Sequence, residues 1–174
     1  MITSLAIHEP TTRDAAVRYL VDHASRRGFA IAVDLLGDRG EAEDAVQEAL
    51  LRTLAGVHRL RDPGALEGWF FRVLANTCVG VLRRRRVASA FARLLGRTEP
   101  AQPPVEGGDH ARMLRELDHL PAMQKAALVL RYGHDLPLEE IAAILDVGTE
   151  TVKTHLKRGR ARLRDRLGVN HDER

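Results

Sequence analysis

The sequence predicts an all-α protein of two small helical domains joined by a flexible linker, with a helix-turn-helix in the C-terminal one. Three observations carry this. Apolar residues recur at helical spacing along most of the chain, and no useful stretch alternates as a strand does. Only 7 of the 174 residues are Phe, Trp or Tyr, so a core must be mostly Leu, Val, Ile and Ala, as in small helical bundles. The run TEPAQPPVEGGD has no apolar period and gathers Pro100, Pro103, Pro104, Gly107 and Gly108, which marks a break. The boundaries read as residues 11–86 for the first domain, 87–110 for the linker and 111–170 for the second.

The first domain opens with a helical pattern over 14–36, with Val17, Leu20, Val21, Ala24, Phe29, Ile31 and Leu35 as candidate core and Gly28 as a bend. GDRG at 37–40 is a turn. A strong helix follows over 41–57, with Ala42, Ala45, Val46, Ala49, Leu50 and Leu54 on one face. Its first turns hold Glu41, Glu43 and Asp44, where negative charge complements the helix dipole. Residues 59–68 form a loop around Pro63-Gly64, and the next helix runs from 67 to four arginines ending at 86.

In the second domain Leu114, Leu117 and Leu120 mark a short helix, and Pro121 starts another. Gly133-His134-Asp135 is a break. Leu138, Ile141, Ala142 and Leu145 give a short amphipathic helix, and Asp146-Val147-Gly148 turns the chain. In the last helix Val152, Leu156, Gly159 and Leu163 share one face. Two short helices joined by a glycine-containing turn are the helix-turn-helix pattern, whose second helix is the reader. With Val152 facing the core, Glu150, Thr154, Lys157, Arg158 and Ala161 point outward. A carboxylate, a hydroxyl and cations on one face suit a DNA major groove.

Charge is distributed unevenly beneath a net of only +3. Residues 34–48 carry −5, residues 83–97 carry +6 and residues 153–166 carry +6. Two separated basic blocks suggest two contacts to a polyanion, and the acidic block suggests a different, basic partner.

Other classes are disfavoured. With 44% hydrophobic and 29% charged residues the chain reads as globular rather than disordered. One cysteine excludes an internal disulfide framework and a Cys-rich zinc site. No apolar run approaches ~18 residues, and the N-terminus does not read as a secretory signal, so the expectation is a cytoplasmic protein without membrane insertion. Phosphate-binding loop, zinc-protease and nucleophile-elbow motifs are missing, the eight histidines lack ligand spacing, and Cys78 reads as core. The expectation is no enzyme, no catalytic residue, no metal and no cofactor.

The stretch LPAMQKAALVLRYGHDLPLEEIAAILDVGTETVKTHLKRGRARLR resembles region 4 of a bacterial RNA polymerase sigma factor of the extracytoplasmic-function (ECF, sigma-70 family) type. GDRGEAEDAVQEALLRTL, followed by DPGALEGWFFRVLANTCVGVLRRRR, resembles region 2 of the same family. The resemblance implies a subunit that binds core RNA polymerase, recognises the −10 and −35 promoter elements and directs transcription initiation. Its implied partners are core polymerase, promoter DNA and an anti-sigma factor.

Residue by residue, the resemblance puts Asp44, Gln47, Glu48 and Leu51 on the polymerase clamp helices. It puts the loop His58–Gly68 at an extruded base of the upstream element, with His58, Arg59 and Arg61 as candidates and Asn76, Arg83, Arg84, Arg85 and Arg86 on the same DNA. Trp69 matches the family tryptophan and reads as core. Downstream DNA falls to Thr149, Glu150, Thr151, Lys153, Thr154, Lys157, Arg158, Arg160 and Arg164. Glu150 and Thr154 are assigned to base edges, Arg160 and Arg164 to phosphates, and Lys157 and Arg158 to either. The chain departs from the family at Gly80, where an aspartate is usual, at Leu54 for an aromatic, at Asp146 for glycine and at Glu150 for a small residue.

Two other readings compete. A two-domain helix-turn-helix regulator that is not a polymerase subunit, such as a response regulator, needs a receiver's alternating strands and helices, which the first half lacks. A helical protein-binding adaptor leaves the two basic blocks unexplained.

Overall fold

The computed structural model describes residues 12–96 and 108–168. All regular elements among them are helical. Helices α1 (Arg13–Tyr19) and α2 (Ser25–Leu36) are joined through a π-helical turn at Leu20–Ala24, and α3 spans Arg39–Gly56. A short 3-10 turn at Val57–Arg59 leads to α4 (Ala65–Leu94). The second lobe holds α5 (Gly108–Asp118), α6 (Ala122–Leu128) with a π-helical turn at Val129–Gly133, α7 (Leu138–Leu145) and α8 (Thr149–Leu167).

The π-helical turn corrects the expected first helix. Ala16, Leu20, Ala24 and Gly28 are buried at a spacing of four, which a straight α-helix would carry around its axis. The wider turn absorbs that drift and rotates Val21 into solvent, although it was expected in the core. Gly28 does not break the helix. A Cβ there would lie 2.9 Å from Phe70 and from Leu74, so the glycine lets α2 approach α4 closely.

The GDRG turn works residue by residue. Gly37 ends α2 in the left-handed conformation at φ 70°, which costs glycine nothing. Asp38 then caps α3, its carboxylate accepting from the Glu41 amide at 2.8 Å. The face of α3 made by Ala42, Ala45, Val46, Ala49 and Thr53 is buried against α2 and α4. Leu66, Phe70, Leu74 and Cys78 supply α4's side of that core. Burial pushes the Cys78 thiol up to about 12, consistent with its expected place in the core. Trp69 is half-buried and lies across Gly56, where a Cβ would come within 1.9 Å of the indole.

Helix α4 is longer than expected: it runs on through Leu94 instead of ending at 86, so the first part of the expected linker is helix. The linker's last three residues, 108–110, open α5, so they too are helix, and residues 97–107 lie outside the described residues. By length and composition α4 is apolar enough to cross a bilayer, and 44% of that window is buried inside the protein.

In the second lobe Leu117, Leu120, Ala126, Ala127, Leu130, Leu136, Ile141, Leu145, Val152 and Leu156 are buried, whereas Leu114 is exposed. Gly159 brings α8 against α6, since a Cβ would meet Leu128 at 2.9 Å. Lys125 is buried as well, with its ammonium 2.5 Å from the Asp118 carboxylate.

Candidate nucleic-acid and polymerase interfaces

The second lobe holds a helix-turn-helix. Helix α7 ends at Asp146, which takes the left-handed conformation at φ 56°. That conformation suits glycine and is tolerated by aspartate, so the turn survives with Asp146 where glycine is usual. Val147 and Gly148 complete the turn, and α8 starts at Thr149. Val152, Leu156 and Gly159 are buried, so the opposite face of α8 is turned to solvent. That face exposes Glu150, Thr151, Lys153, Thr154, Lys157, Arg158, Arg160 and Arg164, while Thr149 is half-buried.

Internal contacts divide these residues. Glu150 accepts from Lys153 at 2.6 Å, and the bond and its charge raise the Lys153 ammonium above its ordinary value. The Thr154 hydroxyl donates to the Glu150 carbonyl at 2.9 Å, and Arg160 donates to the Tyr132 hydroxyl at 3.4 Å. Among the described residues no ion-pair partner holds Lys157, Arg158 or Arg164. His155 lies half-buried between the two faces, and desolvation, followed by repulsion from Arg158, lowers its pKa. The result is a cationic helix face with polar groups at its N-terminal end, which is the order a major-groove reader needs.

The first lobe presents two further surfaces. On α3 the exposed side chains of Glu43, Asp44, Gln47, Glu48 and Leu51 recur at three and four residues, so they form one solvent face. Leu51, 70% exposed, is an apolar residue within an acidic surface. Glu48 pairs along the helix with Arg52 at 2.6 Å.

On α4 the stripe Arg72, Asn76, Gly80 and Arg83 follows helical spacing, with Arg84 beside it. Asn76, Arg83, Arg84 and Arg86 are exposed. A Cβ at Gly80 would meet only the Arg84 guanidinium, at 3.6 Å, so packing does not demand glycine there. Arg85 is different. It donates to the Leu36 carbonyl at 2.7 Å and pairs with Glu41, which ties α4 to the α2–α3 corner. His58, Arg59 and Arg61 are exposed at the loop between α3 and α4. That loop borders a largely apolar cleft of ≈ 790 Å³, whose walls include Arg52, Arg59, Leu60, Trp69 and Arg72.

Arg52 and Arg72 are cleft residues that sequence reasoning gave no role. Arg72 stood in the quoted stretch DPGALEGWFFRVLANTCVGVLRRRR, but its partners are on the other lobe and leave no mark on local spacing. No group of three or more His, Cys, Asp or Glu side chains among the described residues is arranged to hold a metal ion.

A helix-turn-helix lobe with a cationic reading helix, joined to a helical lobe with an acidic face and a basic stripe, defines a DNA-binding protein built for a second macromolecular partner. Residues 20–88 match the family Sigma-70 region 2, and residues 117–165 match Sigma-70, region 4. The chain is 30% identical to the RNA polymerase sigma factor SigV of Bacillus subtilis, over 90% of this chain and 93% of that one. It is 33% identical to the ECF RNA polymerase sigma factor SigE of Mycolicibacterium smegmatis, over 98% of this chain and 70% of that one. The chain belongs to the ECF RNA polymerase sigma factors. Among solved structures, its fold is similar to the sigma factor RpoE of Bartonella quintana in complex with the anti-sigma factor NepR. That match has a TM-score of 0.61 at 24% identity, over 92% of this chain and all of the other. The fold is also similar to CnrH in complex with the cytosolic domain of CnrY, with a TM-score of 0.63 at 22% identity, over 92% of each chain.

Proposed function

We propose that this ECF sigma factor docks on core RNA polymerase through the acidic face of α3, engages the upstream melted element with the α3–α4 loop and the stripe on α4, and reads duplex with α8. The carrying observation is the coexistence of one acidic face and two basic faces on separate elements of a single chain. A helix-turn-helix regulator that never meets polymerase has no use for Leu51 exposed among carboxylates. An adaptor that never meets DNA has no use for α8.

In this reading Asp44, Gln47, Glu48 and Leu51 meet the polymerase. His58, Arg59, Arg61, Asn76, Arg83, Arg84 and Arg86 meet the upstream element, and Arg85 serves the fold instead. The protein works as a binding subunit, in the cytoplasm with the polymerase. An anti-sigma factor is a further partner, a reading supported by the complexes of its structural neighbours. Run-off transcription with purified core polymerase on a promoter library tests the function directly. Specific transcripts are expected only when the protein is added, and none from any promoter would refute it.

Helix α8 allows a sharper test. Arg164→Ala is expected to weaken binding to every duplex alike and lower the salt slope by about one. Glu150→Ala is expected to cost ~1–3 kcal/mol on the preferred site and flatten preference at one position. Titration of both variants on the best downstream element and on scrambled duplex, over a range of salt, separates them. Equal change on both duplexes for Glu150→Ala would mean that Glu150 only positions Lys153 and repels the backbone.

A further inference from the structure

Beyond Leu82, α4 runs on for about three turns with one side half-buried and the other bare. Arg85, Ser89 and Ala92 make the half-buried side, and Arg85 is tied down by Leu36 and Glu41. On the opposite side Val87, Phe91, Leu94 and Leu95 are 59–84% exposed. At about 100° per residue, Val87, Phe91 and Leu94 fall within ~60° of one another, and Leu95 borders them. They form an apolar ridge along the end of the helix.

Cations surround the ridge. Exposed Arg83 and Arg84 precede it on the same side, and exposed Arg86 and Arg93 flank it. Residues 83–97 carry +6 and no acid. Arg83, Arg84 and Arg86 are shared with the upstream-element surface, but the apolar side chains have no place in promoter reading. The ≈ 790 Å³ cleft takes none of its lining from residues 83–96. Contiguous apolar side chains rimmed by charge mark a surface that meets a partner.

We propose that residues 83–95 form a peripheral docking site for an anionic lipid bilayer, with the end of α4 lying in the plane of the membrane surface. Apolar side chains on one face with arginines beside them are the pattern of an interfacial helix. Val87, Phe91 and Leu94 enter the boundary between headgroups and acyl chains. The arginine stems reach from the helix flanks, which leaves the guanidiniums at the level of the lipid phosphates.

Charge complementarity selects this occupant. A second copy packed ridge to ridge would set arginine against arginine, with no acid in the stretch to answer it. The acidic face of α3 on a second copy answers the charge, but it offers one exposed leucine, Leu51, to four apolar side chains. A nucleic-acid strand answers the arginines and leaves Phe91 and Leu94 in water. An anionic bilayer answers both parts of the surface.

The test is sedimentation of the full chain with lipid vesicles, one set of phosphatidylcholine alone and one of phosphatidylcholine and phosphatidylglycerol in equal parts. Binding is expected to the anionic vesicles and not to the neutral ones, and it should weaken as salt rises. Phe91→Ser combined with Leu94→Ser alters only exposed side chains, so circular dichroism should be unchanged. That double variant is expected to bind the anionic vesicles at least about tenfold more weakly. Leu114→Ser, at an exposed leucine of α5, is expected to bind them as the wild type does. All three proteins carry the same charge. Wild-type affinity in the double variant would mean that the arginines alone hold the surface, and the site would be overturned. No binding to anionic vesicles, or an equal loss in Leu114→Ser, would overturn it as well. Light scattering without lipid completes the comparison: oligomers that the double variant dissolves would assign the ridge to a second copy instead.

Discussion

Val152→Asp is expected to abolish duplex binding by the helix-turn-helix lobe and to remove that lobe's cooperative melting. Val152 is fully buried, where α8 crosses the interior of the lobe between α6 and α7. A carboxylate there would replace a fully buried apolar side chain, while the lobe's buried cation, Lys125, is already paired with Asp118, and such a burial costs on the order of 4 kcal/mol or more. A lobe of this size has only about 3–9 kcal/mol in hand. The first lobe keeps its own core of Leu20, Leu35, Leu66, Phe70 and Leu74. Thermal melting followed by circular dichroism should therefore lose one part of its transition, and duplex affinity should fall at least a hundredfold. Wild-type melting and wild-type duplex affinity would show that α8 does not bury this face.

The contrast between Val152 and Val21 shows what was legible in the sequence. Val152, Leu156 and Gly159 recur at α-helical spacing on an uninterrupted helix, so the buried face of α8 and its outward residues follow from periodicity alone. Val21 also fits a helical period, but Leu20–Ala24 is π-helical, and one wider turn moves Val21 out of the core. A one-dimensional period cannot register that change.

Gly28 and Gly56 are similar. Gly28 reads as a bend and Gly56 carries no local signal, yet each is a place where an aromatic side chain from α4 presses on a helix backbone. The signal is the partner's ring, which lies far away in sequence.

The site divides in the same way. The solvent faces of α3 and α8 are properties of single helices, and the sequence carried both. Arg85 looked like the third of four equivalent arginines, and only its contacts with Leu36 and Glu41 set it apart. The same holds for Arg72. Its motif position was visible, but its bond to Ala143 spans two lobes. Asp146 lay between these cases. Its left-handed turn followed from local chemistry, whereas its pairing with Arg72 is tertiary.

Reversing Asp44 and Glu48 together to lysine is expected to weaken binding to core RNA polymerase at least tenfold, with helicity and melting nearly unchanged. Both side chains are exposed on the face of α3 turned away from the core, so no buried contact is lost. The Asp38 cap on the Glu41 amide stays in place. Glu48→Lys exchanges an attractive pair with Arg52 for a repulsive one, which costs the helix only a few tenths of a kcal/mol. The effect on a basic partner is larger, because each reversal removes an attraction and adds a repulsion across the interface. Tenfold corresponds to about 1.4 kcal/mol, which two reversals at an interface readily supply. Raising salt should weaken the wild-type complex and narrow its gap to the variant, since the difference is electrostatic. Leu51→Ala separates the apolar part: it should lower affinity for core without that salt dependence. Fluorescence anisotropy with labelled protein and purified core polymerase measures all three, and wild-type affinity in the double reversal would remove α3 from the interface.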